Sequence, residues 1–168
     1  CALGLALCVC LLPACASGDS AEDGSDGTAK YVSKALGVNA AAGEVLFDED
    51  THGGFHGDGY TFVEVSYDDS TGAEIAGGLA GRSDWSALPL SENLRAAVYG
   101  SDTYASLVLT EDASIPAVEN GYFYFYDRHS ESEDPKSDRE LFSRYSYNFT
   151  VALYDTDSGH LYYYELDT

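Results

Sequence analysis

The chain has 168 residues, with 29 acidic and 8 basic side chains, and its formal net charge is −21 at pH 7. This length corresponds to one modest domain, alone or with a tail. A field this negative repels nucleic acid, so the composition excludes nucleic acid as a partner bound by charge attraction. Because 45% of the residues are hydrophobic and 13% are aromatic, the chain is too apolar to be disordered throughout.

The first segment has the composition of a targeting signal. Residues 2–14 are uncharged and nearly all apolar. The run has the length of the hydrophobic region of a signal peptide and is too short to span a bilayer as a helix. We therefore predict a signal peptide over residues 1–14, whose start lies before the first residue of the sequence.

This segment ends in Leu12-Pro13-Ala14-Cys15, followed by small and polar residues. The pattern resembles the lipobox of bacterial lipoproteins, in which the cysteine is lipidated and becomes the mature N-terminus. The resemblance implies lipidation of Cys15 and attachment to the extracytoplasmic face of the cell membrane. All 4 cysteines precede residue 16, so the mature domain is expected to have no disulfide, thiolate nucleophile or cysteine-based metal site.

Residues 16–28 are rich in Gly, Ser, Asp and Glu and contain almost nothing that can be buried. Such a segment cannot offset the entropy of ordering, so residues 15–28 are predicted to be a flexible acidic tether that begins at the lipidated cysteine. A single domain is then predicted over residues 29–168.

Two short helices are predicted in this domain. Thr28 is a candidate N-cap for a helix over residues 29–36, which Gly37 would end. Ser91 is a candidate N-cap for a second helix over residues 92–99.

Alternating apolar and polar residues predict the strands. The pattern is strongest in the C-terminal half, where aromatic residues alternate with polar or smaller ones. The predicted strands cover residues 44–47, 60–67, 121–127, 145–154 and 160–166. Alternation of this kind is typical of an antiparallel sheet with one solvated face.

The connections complete the predicted fold. Residues 155–159 end in Gly and predict a hairpin between the last two strands. Residues 68–72 predict a turn, and the Gly content of residues 73–81 predicts that any helix there is weak. We expect an α+β domain with an antiparallel sheet of four to five strands, a C-terminal hairpin, and two or three short helices on one side.

The sheet is unusually rich in tyrosine, with 14 in the chain. A tyrosine buries its ring while its hydroxyl stays hydrated or hydrogen-bonded, so the polar face of the sheet is expected to be half covered. The tyrosines are either ordinary core and edge residues or the lining of a binding face for a sugar or a peptide.

The histidine- and glycine-rich loop over residues 48–59 is the candidate site. Its imidazole and carboxylate groups are ligands for zinc or a similar divalent metal, and the end of the strand at residue 127 could complete the set. The candidate ligands are Asp50, His52, His56, Asp58, Asp127 and His129, with His52, His56 and His129 as the candidate metal-binding imidazoles. The alternative is a rigid turn whose histidines bind backbone carbonyls.

Catalysis is a third interpretation of the same residues. His56 with Asp58, or His129 with Asp127, could act as a general base and its orienting carboxylate, but no nucleophile is identifiable. Arg128 is a candidate contact for an anion; in so acidic a chain the alternative is that it pairs with a neighbouring carboxylate.

The loop THGGFHGDG and the C-terminal pattern DRHSE…NFTVALYDTDSGHLYYYELDT resemble a family of small secreted or lipid-anchored proteins of Gram-positive bacteria. The resemblance covers about residues 30–168. It implies one intact domain with the loop as its signature, and it implies no particular chemistry.

Two functions therefore remain open. The first is a membrane-anchored extracytoplasmic lipoprotein that acts as a non-enzymatic binding or interaction domain, favoured by the predicted anchor and the incomplete catalytic set. The second is a metal-assisted or His/Asp-dependent hydrolase at the cell envelope. The second requires His52 or His56 to lie within ligand distance of Asp127 or His129.

Overall fold

The computed structural model describes residues 24–53, 57–108, 110 and 113–168. Within this part of the chain the α+β class predicted from the sequence is confirmed, but the sheet has six strands rather than four or five. The helices and strands are α1 (Gly24–Leu36), β1 (Glu44–Asp50), β2 (Gly59–Ser66), α2 (Asp69–Leu79), β3 (Trp85–Ala87), α3 (Glu92–Tyr99), β4 (Gly121–Asp127), β5 (Asn148–Asp155) and β6 (His160–Asp167), with short 3-10 helices at Ala40–Ala42 and Leu141–Ser143.

Several predicted features lie outside the described residues. They are the signal peptide over residues 1–14, the lipidated Cys15, the tether up to residue 23, and His56. Residues 24–28, which the sequence placed in the tether, are helical because α1 begins at Gly24. None of the described helices combines the length and apolar character needed to cross a membrane.

The sheet is open and antiparallel, with the strand order β1-β2-β6-β5-β4-β3. The predicted C-terminal hairpin is confirmed: Asp155 at the end of β5 pairs with His160 at the start of β6. Gly159 closes this turn at a φ of 72°, which favours glycine because a Cβ would be strained there. β5 begins at Asn148 rather than at the predicted residue 145.

The expectation of one solvated sheet face, with all helices on the other, is wrong. α1 and α2 pack on one face, which we call the first face, together with Val63 of β2 and Tyr163 of β6. α3 packs on the opposite, second face with Phe62 of β2 and Phe149 of β5. Alternate residues of one strand therefore enter two different cores, which is possible because successive side chains point to opposite sides of the sheet.

Both faces of β5 are buried as well. Thr150 is 7% exposed and Ala152 is fully buried. Tyr154 and Tyr163 are also buried, each at 1% exposure, so these tyrosines are core residues rather than the lining of a half-covered face. Their hydroxyls still have partners: Tyr154 donates to the carbonyl of Gly72, and Tyr163 donates to Glu165.

Helix α2 is the largest departure from the sequence prediction. Residues 68–72 begin a helix instead of forming a turn, since the carboxylate of Asp68 accepts a hydrogen bond from the backbone N–H of Thr71 at 2.8 Å. Leu79, in the last turn of α2, is buried against the sheet. Capping and tertiary burial thus outweigh the low helix propensity of the glycines.

Helices α1 and α3 were predicted more closely. Ser91 caps α3 by accepting a hydrogen bond from Leu94 N–H at 3.1 Å, and Gly100 ends this helix at a φ of 80°. Thr28 is not the N-cap of α1 but lies inside the helix. Its hydroxyl is 2.7 Å from the carboxylate of Asp48 and so connects α1 to β1.

Candidate functional site

A cavity of about 440 Å³ lies where α1 crosses the ends of β1, β2 and β6, and we call it the α1–β6 cavity. Pockets that bind small molecules are typically about 300–1,000 Å³. Its polar wall consists of Thr28, Tyr31, Asp48, Glu49, Asp50, His52, Thr61, Glu165 and Asp167. Of the candidate ligands predicted in the loop, Asp50 and His52 therefore line the cavity.

The register of the sheet brings the wall residues together. Asp50 pairs with Thr61, and Thr61 pairs with Glu165. Residues directly opposite each other in antiparallel strands point to the same face, so these three side chains form a row across β1, β2 and β6. Asp167 follows Glu165 by two positions and extends the row toward the end of β6.

His52 is held between two carboxylates. Its Nδ1 lies 2.8 Å from Asp50 Oδ1, and its Nε2 lies 3.3 Å from Asp167 Oδ2. The second contact has an ion-pair distance but not the alignment of a hydrogen bond. Asp50 Oδ1 also accepts the backbone N–H of His52 at 2.9 Å, so the imidazole links the loop after β1 to the end of β6.

Arg128 neutralises part of this row. Its Nη2 lies 2.8 Å from both carboxylate oxygens of Asp167 and 3.0 Å from Glu165 Oε1. Its Nη1 donates to the hydroxyl of Thr150. The guanidinium expected to contact an anion therefore pairs with carboxylates of the chain itself, which was the alternative left open by the sequence.

The same contacts shift the pKa values of the two aspartates. Burial by itself raises the pKa of Asp167, but Arg128, Asn148 and His52 outweigh burial and hold it below its usual value. Burial also raises the pKa of Asp50, and the hydrogen bonds from the backbone and ring of His52 again lower it overall. Both carboxyl groups are thus stabilised as carboxylates.

Three side chains contact the carboxylate of Glu165. Tyr31 of α1 donates to Glu165 Oε2 at 2.6 Å, and Tyr163 of β6 donates to the same oxygen. Burial and the bond to Glu165 raise the pKa of both tyrosines, so both hydroxyls remain protonated donors. Arg128 occupies the other oxygen, Oε1.

Asp127 and His129 lie apart from this wall. Asp127 Oδ2 is 2.5 Å from Arg144 Nη1, and Asp127 Oδ1 accepts the backbone N–H of His129 at 3.0 Å. β4, which ends at Asp127, is separated from β2 by β6 and β5, or roughly 14 Å at about 4.8 Å per strand. Asp127 also pairs with Phe149 and so points toward the second face.

The predicted metal centre is therefore not assembled by the described residues. Asp50 and His52 meet in the α1–β6 cavity, whereas Asp127 and His129 belong to another part of the sheet. Asp58 lies in an exposed part of the loop, and His56 lies outside the described residues. Within the described part of the chain, no group of three or more His, Cys, Asp or Glu side chains is placed to hold a metal ion.

The hydrogen bonds of His129 determine its tautomer. Its Nδ1 accepts the backbone N–H of Glu131 at 3.2 Å, so the neutral ring carries its proton on Nε2. Nε2 lies 3.1 Å from Ser146 Oγ and donates to it. A general base would need a lone pair in that direction, so this histidine is not arranged to activate the serine hydroxyl.

Outside the candidate loop, five polar residues of the cavity wall were not predicted as site residues: Thr28, Tyr31, Thr61, Glu165 and Asp167. One signal was present: Glu165 lies in the predicted strand over residues 160–166, and Asp167, one position beyond that prediction, shares its face if the strand continues. Their meeting with Asp50 depends on the pairing of β2 with β6, which joins segments about a hundred residues apart and leaves no local pattern.

Comparison of the chain with protein-family models, with curated proteins and with solved structures finds no match. The likeness of the HGGFHGDG loop to Gram-positive secreted proteins thus stays a prediction from sequence.

Proposed function

We propose that the chain is a membrane-anchored extracytoplasmic lipoprotein whose domain binds a small polar ligand in the α1–β6 cavity without transforming it. The anchor is supported by the apolar residues 2–14, the Leu-Pro-Ala-Cys sequence ending at Cys15, and the small and polar residues that follow. Lipid attached to Cys15 would hold the domain at the cell membrane.

The observation that carries the binding role is the fixed arrangement of the cavity wall. His52 is held by Asp50 and Asp167, and Glu165 is held by Tyr31 and Arg128. A ligand entering such a site does not have to order these side chains, so less of its interaction energy is lost to conformational entropy. Pre-formed pockets with a few convergent polar groups are typical of ligand sites.

The envelope hydrolase is not favoured by any contact in this wall. Because the carboxylate of Asp50 can only accept, Nδ1 of His52 carries a proton. Its Nε2 lies 3.3 Å from Asp167, and no hydroxyl of the described residues is hydrogen-bonded to it. His129 donates to Ser146 instead of accepting from it. A base and nucleophile pair is therefore missing at both histidines.

Lipidation is tested by expressing the full precursor in a Gram-positive host and measuring the intact mass of the membrane fraction. We expect the mature mass to begin at Cys15 and to include acyl groups. Cys15→Ser is expected to lose both the acyl mass and membrane retention. An unlipidated wild-type protein, or a Cys15→Ser variant retained equally at the membrane, would contradict the anchor.

Ligand binding in the cavity is tested with a glycine that lines it. Gly27 of α1 borders the cavity, and a Cβ placed there meets no atom within 4 Å, so Gly27→Phe is expected to fold and to obstruct the cavity. Gly77→Phe is the matched control, since Gly77 is also helical and open but lies on α2.

The readout is a screen of amines, sugars and amino acids by ligand-observed NMR. Compounds that bind the wild type are expected to bind Gly77→Phe and to be lost with Gly27→Phe. Binding that is insensitive to Gly27→Phe, or a screen without binders, would contradict a ligand site in this cavity.

A further inference from the structure

We infer that the ligand of the α1–β6 cavity carries an alkylammonium group, and this inference rests on the proposed binding function. The wall contains the carboxylates of Asp48, Glu49, Asp50, Glu165 and Asp167. The basic groups that touch these carboxylates are His52 and Arg128. Even with His52 protonated, five carboxylates face two cations, so the wall keeps an excess of three negative charges.

The chain's own guanidinium shows which chemistry this row of carboxylates accepts. Arg128 binds the β6 half of the row, where it contacts Asp167 with two equal distances of 2.8 Å and Glu165 at 3.0 Å. The β1 half of the row, which consists of Asp48 and Asp50, is different. Asp48 accepts a hydrogen bond from the neutral hydroxyl of Thr28, and the described residues place no basic side chain within ion-pair distance of it.

The β1 half is also accessible. The side chain of Asp50 is 64% exposed, although it contacts His52, and Asp48 is exposed as well. A cation entering the cavity can therefore approach both carboxylates without displacing Arg128. Partial desolvation in a concave site strengthens such a contact relative to open water.

Size and donor geometry favour an organic cation over a metal ion. The cavity of about 440 Å³ has room for a small molecule. The described carboxylates and histidines are not placed to coordinate a single metal ion. The carboxylates of the wall instead line a space that is large enough for a small molecule. The ring of Tyr31, 48% exposed on the wall, adds a surface on which an ammonium group or its alkyl stem can pack.

The test is calorimetric titration of the folded protein with 1,4-diaminobutane and with Nα-acetyl-lysine methylamide, at low ionic strength. The first probe represents a free amine and the second a lysine side chain. We expect one or both to bind with a stoichiometry of one and 1,4-butanediol, the neutral analogue, not to bind. Absence of binding by both amines would overturn the inference.

Two variants separate a specific contact from general attraction to an acidic protein. Asp48→Asn removes the exposed carboxylate of the β1 half and is expected to weaken amine binding about tenfold, equivalent to the loss of one moderate charge contact. Glu74→Gln removes the same charge from an exposed position on α2 and is expected to leave the affinity unchanged. Equal losses in both variants would overturn a specific site.

Titrations with Ca²⁺ and with neutral compounds complete the test. Stoichiometric Ca²⁺ binding that competes with the amine would assign the cavity to a metal ion and overturn the inference. Neutral compounds that bind in a Gly27→Phe-sensitive way while both amines fail would overturn the ammonium assignment and leave the proposed binding function intact.

Discussion

At the residue scale, Glu165 connects the core to the cavity. Its Oε2 accepts from a buried tyrosine, Tyr163, and from a half-exposed one, Tyr31, while its Oε1 contacts Arg128. A buried carboxylate without such partners would be strongly destabilising, because it would lose its hydration without compensation. The three contacts explain how a charged side chain is accommodated next to the core of the first face.

Tyr31 and Tyr163 donate to the same oxygen of Glu165 but differ in burial. Variants of the two therefore show how burial changes the contribution of a hydrogen bond to the free energy of unfolding. We expect Tyr163→Phe to lower the free energy of unfolding by about 1–2 kcal/mol, because it removes a buried hydrogen bond to a charged group. Tyr31→Phe is expected to cost about 0.5 kcal/mol or less, since water can replace an exposed hydroxyl. Urea denaturation of both variants measures the difference, and equal losses would contradict the role assigned to burial.

The lowered pKa values of Asp50 and Asp167 predict that the folded protein becomes less stable in acid. A carboxyl group whose folded pKa is below its unfolded value of about 3.9 stabilises the protein above that value. This stabilisation is lost as the pH falls through the folded pKa. We therefore expect the free energy of unfolding to decrease as the pH is lowered from about 5 to about 2.

Asp167→Asn isolates one of the two carboxyl groups. The variant is expected to be less stable than the wild type at about pH 6, and the difference should shrink as the pH falls through the lowered pKa of Asp167 and the wild-type carboxyl is itself protonated. Urea denaturation across this pH range gives the difference directly. A difference that stays constant with pH would show that the charge of Asp167 contributes nothing to stability.

The site residues divide according to how local their interactions are. Asp50 and His52 could be predicted as partners because they are two residues apart, and the loop fixes their contact. Glu165 and Asp167 could not be assigned to the site of Asp50 and His52. A strand pattern states which residues share a face, but it does not state which strand lies beside it. Asp127 and His129 were wrongly joined to the loop for the same reason.

At the scale of secondary structure, α2 shows how tertiary contacts outweigh propensity. Its sequence contains three glycines, and the sequence predicts a turn and a weak helix there. Gly72 is required by packing, because a Cβ at this position would lie 3.0 Å from the hydroxyl of Tyr154. Gly77 and Gly78 are exposed, and a Cβ added at either position would enter open space.

This contrast predicts opposite effects of the same substitution within one helix. Gly77→Ala is expected to raise the free energy of unfolding by about 0.5–1 kcal/mol, because alanine has the better helix propensity and meets no neighbour. Gly72→Ala is expected to lower it, since the added methyl crowds the hydroxyl that Tyr154 donates to the Gly72 carbonyl. Thermal unfolding of the two variants measures both signs; stabilisation by Gly72→Ala would contradict the packing argument.

The strands differ in how well the sequence identifies them. The limits of β4 and β6 were predicted to within one residue, because a run of consecutive aromatic residues occupies the middle of each strand. β3 has three residues, too few to show a period, and was not predicted as a strand. The expectation of a solvated face failed because alternation between aromatic and small residues also fits a strand whose two faces enter separate cores.

At the scale of the whole molecule, one sheet separates two cores within a strongly acidic chain. The two cores share the strands β2, β4, β5 and β6, which contribute alternate residues to each side. The surface around them carries most of a formal charge of −21. Repulsion among these charges opposes the compact state and is opposed by the burial of both sheet faces.

Charge repulsion of this size predicts that salt stabilises the protein. We expect NaCl at about 0.3 M to raise the melting temperature by roughly 3 °C relative to about 10 mM, because the Debye length falls from about 30 Å to below about 10 Å. A shift of this size corresponds to about 1 kcal/mol for a domain near this length. The ion pair of Arg128 with Asp167 is partly buried and is screened less than the surface charges.

Differential scanning calorimetry in NaCl and in choline chloride at matched ionic strength separates screening from specific binding. Screening predicts equal rises in the two salts, because it depends on ionic strength and not on the identity of the cation. A larger rise in choline chloride would instead indicate occupation of a site by the organic cation, and Gly27→Phe would then abolish the excess. A melting temperature that falls with both salts would show that attractive pairs, rather than the net charge, dominate the electrostatic free energy of this fold.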